Sequence, residues 1–250
     1  MDFPGVMQRM QAGLLLVLSL CLPVSAFAQG SIPAGTILPV QLNSSLNSRK
    51  SKPGQKITAR IMQDVPLSST SKLPAGAKVI GRIVNISGNP PEISLQFDQV
   101  QSRHQVISIR TDLRALASMM EVQESQVPDA APDRGTPWAW VNRNLIGGEV
   151  AYGEGGPVAR GDEVVGESLF GGVLAKPREN RLRGCRGEVD DNSRRQALWV
   201  FSSDACGVYG LGEIQIAHNG RTAPIGEIRL SSGSGAVEIR GGSGLLLRVE

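Results

Sequence analysis

Between residues 36 and 110, apolar and polar side chains alternate in short runs separated by turn residues, the period-two pattern of strands with one buried face. In 36–42, Leu38, Val40 and Leu42 share a face; in 56–65, Ile57, Ala59 and Ile61 do the same. Further runs at 77–86, 92–100 and 105–110 predict three more strands. Between them, Pro53-Gly54, Pro74-Ala75-Gly76 and Gly88-Asn89-Pro90-Pro91 supply the fixed or positive φ that a reversal needs. Pro39, inside the first run, has no N–H to give a ladder, which predicts an edge strand. The period then changes. Leu113, Leu116, Ala117 and Met120 recur at i, i+3, i+4 and i+7, with Thr111 or Asp112 placed to cap, and predict an amphipathic helix over 112–124. Methionines on such a stripe, Met119-Met120 included, read as core packing rather than a partner surface.

Beyond residue 137 the grammar shifts toward glycine: 9 of the 30 glycines fall in residues 1–136 and 21 in 137–250. Short strand candidates follow at 148–152, 163–166, 173–176, 197–202, 213–218, 226–230, 236–240 and 245–249. Their spacing, with Asn219-Gly220 and Gly241-Gly242 as tight turns, is the rhythm of a β-sandwich or meander. Residues 125–137 carry Pro128, Pro132 and Pro137 with no hydrophobic period and read as a linker. The expected organisation is therefore mostly β: a barrel-like domain at 31–124 ending in the helix, the linker, and a Gly-rich sandwich or meander domain at 138–250.

The N-terminus predicts an address rather than a fold element. Arg9 precedes an apolar run at 12–22, and Ala26-Phe27-Ala28 supplies a small-residue cleavage signal, so a secretory signal peptide at 1–28 cleaved after Ala28 is expected. Cys21 is preceded by Leu20 where a lipidation signal needs a small residue, which argues against a lipid anchor. No later apolar run is long enough for a membrane helix, so the mature chain is expected in the periplasm or associated with the cell envelope. In an oxidising compartment the remaining pair, Cys185 and Cys206, predicts one disulfide, whose loop contributes roughly 3 kcal/mol in the chain-entropy view.

Composition narrows the chemistry further. The net charge of +3 is small and evenly mixed, which excludes a nucleic-acid footprint, and two His with three Cys leave little for metal or thiol chemistry. Cys185, Cys206 and His218 lack the paired spacing of a metal site. Ser202-Ser203-Asp204 has no G-x-S-x-G elbow and reads as a self-capping turn, while His104 and His218 sit at strand shoulders. Asp190-Asp191-Asn192 lacks the Ca²⁺-loop spacing, and Gly153-Glu154-Gly155-Gly156 lacks the phosphate-loop spacing. No catalytic residue, metal or cofactor is predicted. A binding surface is: Trp138, Trp140 and Tyr152 lie in the Gly-rich half with the basic stretch that includes Arg178, Arg181 and Arg183, a combination suited to cell-surface polysaccharide or other envelope proteins.

The order Ile32-Pro33-Ala34-Gly35-Thr36-Ile37-Leu38, then Lys52-Pro53-Gly54-Gln55 leading into Thr58-Ala59-Arg60-Ile61, then Leu73-Pro74-Ala75-Gly76-Ala77-Lys78-Val79-Ile80-Gly81 resembles the β-domain of TrbI-type conjugation-channel proteins over about 31–100. The resemblance implies a barrel-like first domain in the cell envelope. The cleavable leader and the segment containing Leu198-Trp199-Val200-Phe201 depart from that family. The expected function is thus an exported, non-catalytic structural or binding module. Two alternatives are a secretion-channel component and a carbohydrate hydrolase using Glu149, Glu154, Asp162 or Glu163.

Overall fold

The computed structural model describes Met1, residues 31–126 apart from 69, 103 and 104, residues 197–250 apart from 203, 204 and 218–224, and the backbone of five strands between 142 and 175. Along the chain the first strands are β1 (Ile37–Leu42), β2 (Leu46–Asn47), β3 (Lys56–Ile61), β4 (Val65–Pro66), β5 (Lys72–Leu73), β6 (Lys78–Gly88), β7 (Pro91–Gln101), β8 (Val106–Ser108) and β9 (Thr111–Ala117), followed by helix α1 (Met119–Gln126). Next come β10 (Asn142–Leu145), β11 (Gly148–Ala151), β12 (Pro157–Arg160), β13 (Glu163–Glu167), β14 (Val173–Ala175), β15 (Ala197–Leu198) and β16 (Phe201–Ser202). The last are β17 (Gly207–Tyr209), β18 (Ile214–Ala217), β19 (Ile228–Ser232), β20 (Glu238–Ile239) and β21 (Gly244–Val249).

The chain is mostly β, as its period-two runs imply. Ten strands form one sheet in the order β17-β9-β21-β1-β3-β6-β7-β19-β18, with β8 also on β7, and the sheet does not close into a barrel. The turns that start its strands repeat one device. At Gly35, Gly54 and Gly76, φ is +84°, +79° and +85°, and the residues after them donate back to Pro33, Lys52 and Pro74 (Thr36 N–H 3.2 Å, Gln55 N–H 3.1 Å, Ala77 N–H 3.2 Å). Each is a four-residue turn in which glycine alone takes the left-handed position without strain.

Strands from both sides of the expected linker enter this sheet, which differs from the expectation of two β domains. β21 lies between β1 and β9, β19 pairs with β7, and β17 runs parallel to β9. The reason lies in β21 itself: Gly244-Leu245-Leu246-Leu247 is buried without alternation, the mark of a strand covered on both faces, and such a strand belongs in the middle of a sheet. Turn composition reports only local reversals and says nothing about which strand a segment pairs with.

The expected helix at 112–124 is also corrected. Residues 111–117 form β9, and the helix starts at Met119. The register with β21 slips at Arg114: Leu247 faces Leu113 while Leu246 faces Ala115. This bulge puts Leu113 and Leu116 on the same face, in the main core, and Ala115 and Ala117 on the other, in a second core. A strand with a bulge and two covered faces therefore shows the period-three spacing of a helix. Ser118, not Thr111 or Asp112, is the cap: its Oγ accepts from Glu121 N–H at 3.1 Å and its carbonyl from Val122 N–H at 3.1 Å. Met120, placed inward by the sequence pattern, is 72% exposed.

Pro39 does not mark an edge, since β1 is held between β21 and β3. It sits just past the end of the β1–β3 ladder, which begins at Val40 opposite Ile61, and its carbonyl still accepts from Met62 N–H at 3.0 Å. The missing donor costs one bond at a ladder end rather than within it. The run at 197–202 is likewise a two-residue hairpin and not one strand, with Leu198 opposite Phe201 and Trp199 at φ +58° in the turn. β16 also pairs in parallel with β14 in a second sheet, ordered β10-β11-β14-β16-β15.

The main core fills the inner face of the large sheet around Phe97, Ile83, Leu95 and Ile57, all essentially inaccessible. Burying a side chain such as Phe97 contributes about 2–3 kcal/mol. The second core covers the outer face at β9 and β21 only: Ala115, Ala117 and Leu246 meet Val122 of α1, Leu198, Phe201 and Tyr209. Among the described residues this second cluster does not extend over the outer face of β3 and β6, where Lys56, Arg60, Lys78 and Arg82 are exposed.

Candidate functional site

On β3 the inward residues are Ile57, Ala59 and Ile61, so Lys56, Thr58 and Arg60 point outward; on β6 the same alternation turns Lys78, Ile80 and Arg82 outward. Register then decides which of these meet. Arg60 stands opposite Lys78 and Lys56 opposite Arg82, while Gln41 continues the first row onto β1 and Gln101 continues it onto β7. One row thus reads Gln41, Arg60, Lys78, Gln101 across four adjacent strands. The other reads Lys56, Arg82, Gln96. Neighbouring strands are about 4.8 Å apart and four residues of strand rise about 13 Å, so the rows form a grid of about 14 by 13 Å.

The grid is partly held in place. Arg60 Nη2 donates to Gln41 Oε1 at 3.0 Å, and Gln41 Nε2 donates to the Gly242 carbonyl at 3.3 Å. Arg82 pairs with Asp98 and donates to Gln96 Oε1 at 3.1 Å. Lys56, Arg60 and Lys78 have no ion pair among the described residues. Before β3 the chain carries exposed Arg49, Lys50 and Lys52, and the turn at Pro53-Gly54 is tied to β6 by Gly54 N–H donating to the Ile83 carbonyl at 2.8 Å.

Like charges directly opposite on a strand pair repel, by about 0.8 kcal/mol at 5 Å in water. Two such pairs side by side are unfavourable for the free sheet and are relieved by an anion lying across them. Guanidinium and ammonium groups supply charge, and the amides of Gln41, Gln96 and Gln101 supply both donors and acceptors.

Next to the grid stands the second core. Trp199, half-buried, donates its backbone N–H to Gln63 Oε1, just beyond β3, and its ring meets Phe201 edge-on at 6.4 Å; Phe201 meets Tyr209 at 6.2 Å. Under this aromatic group, α1 carries Glu121, only 5% exposed, against Gly210 at φ +67°. Its Oε2 has no hydrogen-bond partner among the described residues, and burial pushes its carboxyl up from 4.5 to about 7. In a capping box such a glutamate reaches back to the cap N–H, but here Ser118 N–H donates to the Tyr209 carbonyl at 2.9 Å.

The residues singled out from sequence fall elsewhere. Trp138, Trp140, Tyr152, Arg178, Arg181, Arg183 and Cys185 lie outside the described residues, as do His104 and His218. Glu149 and Glu163 are placed only as backbone positions in β11 and β13, and Glu154 and Asp162 lie outside. Cys206 is buried beside the aromatic group, its N–H donating to Tyr209 Oη at 3.2 Å. The grid is not among the residues that the sequence pattern singles out. Its available signal was the cation-rich run Arg49-Lys50-Ser51-Lys52-Pro53-Gly54-Gln55-Lys56, which holds no acid and leads straight into a strand whose outward residues are again basic. Comparison with known protein families and with curated proteins finds no match to this chain.

Proposed function

We infer that this protein is an exported, non-catalytic binding module of the cell envelope, processed after Ala28 and closed by a Cys185–Cys206 disulfide. The observation that carries the reading is the outer face of β3 and β6, where Lys56 opposite Arg82 and Arg60 opposite Lys78 stand exposed among the described residues. Export is supported by Arg9, the apolar run 12–22 and Ala26-Phe27-Ala28. Among the described residues, no helix is long and apolar enough to cross a membrane. The disulfide is supported by the burial of Cys206 against Tyr209, a site where a short covalent tie restrains the aromatic group.

Fractionation of cells expressing the full chain, with N-terminal sequencing of the product and thiol labelling before and after reduction, tests this reading. A chain that starts at Gln29, leaves the cytoplasm and is labelled at 185 and 206 only after reduction is the expected result. An unprocessed cytoplasmic chain whose two thiols label without reduction contradicts it.

A further inference from the structure

We propose that the two cationic rows on the outer face of β3 and β6 are the docking surface for an anionic polysaccharide, one whose carboxylates or phosphates recur along an extended chain of hydroxyl-rich sugars. The proposal rests on the reading of the protein as an exported binding module and names the ligand of that face.

Four features of the grid select this occupant. The four cations are exposed among the described residues on neighbouring strands of one sheet, whose inward side chains fill the core. An extended polymer lies on such a surface; a small ligand finds no enclosure. Arg60 with Lys78 and Lys56 with Arg82 place two cation pairs about 13 Å apart, so a polymer with repeating anions meets both rows while a single anion meets one. Gln41 and Gln101 flank the first row, Gln96 ends the second, and exposed Gln99 stands between the rows opposite Ile80. Planar amides that donate and accept suit sugar hydroxyls, which do the same. The described aromatic residues do not interleave with the cations: Trp199 stands at the margin, bonded to Gln63, which leaves bases without a stacking platform and disfavours single-stranded nucleic acid. An anionic lipid surface is disfavoured because the centre of the grid bears Thr58 and half-buried Ile80 rather than protruding large apolar groups.

Asp98 is the acid set against the grid, and by holding Arg82 it aims that guanidinium toward Gln96 instead of leaving it to swing free.

Binding of the mature full chain to immobilised polygalacturonate, with neutral dextran, single-stranded DNA and vesicles of anionic phospholipid in parallel, tests the proposal. The variants are Arg60→Gln/Lys78→Gln and Lys56→Gln/Arg82→Gln. Lys72→Gln/Arg240→Gln serves as control; it removes the same two charges from exposed positions off the grid. Polygalacturonate is expected to bind the wild-type chain, dextran not to bind, and each grid variant to lose about tenfold in affinity while the control keeps it. Affinity should also fall steeply as salt rises from about 50 to about 500 mM. Melting temperatures of all variants establish that each still folds, and should any grid variant fail to fold, competition by inorganic salt and lysine acetylation of the wild-type chain give the same reading. Equal binding by grid and control variants, or binding of DNA or vesicles but not polygalacturonate, overturns the proposal. The module reading fails separately: an exported, correctly processed chain with no polygalacturonate binding sinks only the ligand assignment.

Discussion

Replacing Glu121 by glutamine should make the protein more stable at alkaline pH and flatten its pH dependence. The carboxyl is held near pH 7 in the folded chain by burial against Gly210, compared with 4.5 in ordinary surroundings. Ionising it inside the fold therefore costs at most about 3.5 kcal/mol, from roughly 1.4 kcal/mol for each pH unit between the two values. The sign follows from proton binding: the folded chain holds this proton more tightly than the unfolded chain does, so stability falls as pH rises. Below 4.5 the carboxyl is neutral in both states and the fold carries no penalty. Between 4.5 and 7 the penalty grows, and above 7 it is complete. Glutamine keeps the shape without the charge, and its unsatisfied amide costs about 1 kcal/mol at every pH. Urea unfolding from pH 4.5 to 8.5, read by tryptophan fluorescence, should show the wild-type chain losing up to about 3 kcal/mol relative to E121Q across that range, with the variant the more stable above pH 7. Parallel stability curves for the two proteins would refute the assignment of a buried, proton-holding Glu121.

Substitutions at four further positions test the packing around the same region and the sheet that carries the grid. Gly210→Ala puts a methyl where Ser118 Oγ lies 2.6 Å away and forces alanine to φ +67°, so it should destabilise by about 3 kcal/mol, seen as a drop in melting temperature. Trp199→Gly should be more stable than Trp199→Ala by about 1 kcal/mol in denaturant titrations, because glycine accepts φ +58° without the left-handed cost; equal stabilities would contradict a strained turn. Gly81→Ala would drive a methyl into the Gln96 carbonyl between β6 and β7, and loss of soluble folded protein is expected, whereas Gly88→Ala, at the open end of the same strand, should be tolerated.

Much of the large sheet is legible in the chain because the apolar residues of β1, β3, β6 and β7 recur at every second position, and because Pro33-Ala34-Gly35, Pro53-Gly54 and Pro74-Ala75-Gly76 mark the turns that precede β1, β3 and β6. β9 is not legible in the same way. Its bulge at Arg114 and its two covered faces replace alternation with the spacing of a helix, and only the partner strand β21, some 130 residues later, reveals this. Pro39 misleads for a related reason, since whether a missing donor matters depends on where the neighbouring ladder ends. The grid escapes notice because its two rows are made by register: Lys56 with Arg82 and Arg60 with Lys78 are separated in sequence and unremarkable singly. A search for dense charge along the chain finds 176–186 instead.

The proposed meeting place of this protein and its ligand is the outer face of β3 and β6. A ¹H–¹⁵N NMR titration of the mature chain with short polygalacturonate oligomers measures that most directly. Shifts should concentrate on Lys56, Thr58, Arg60, Lys78, Ile80 and Arg82 and on the side-chain amides of Gln41, Gln96, Gln99 and Gln101. Shifts centred on any other surface, or none at saturating oligomer, would contradict it.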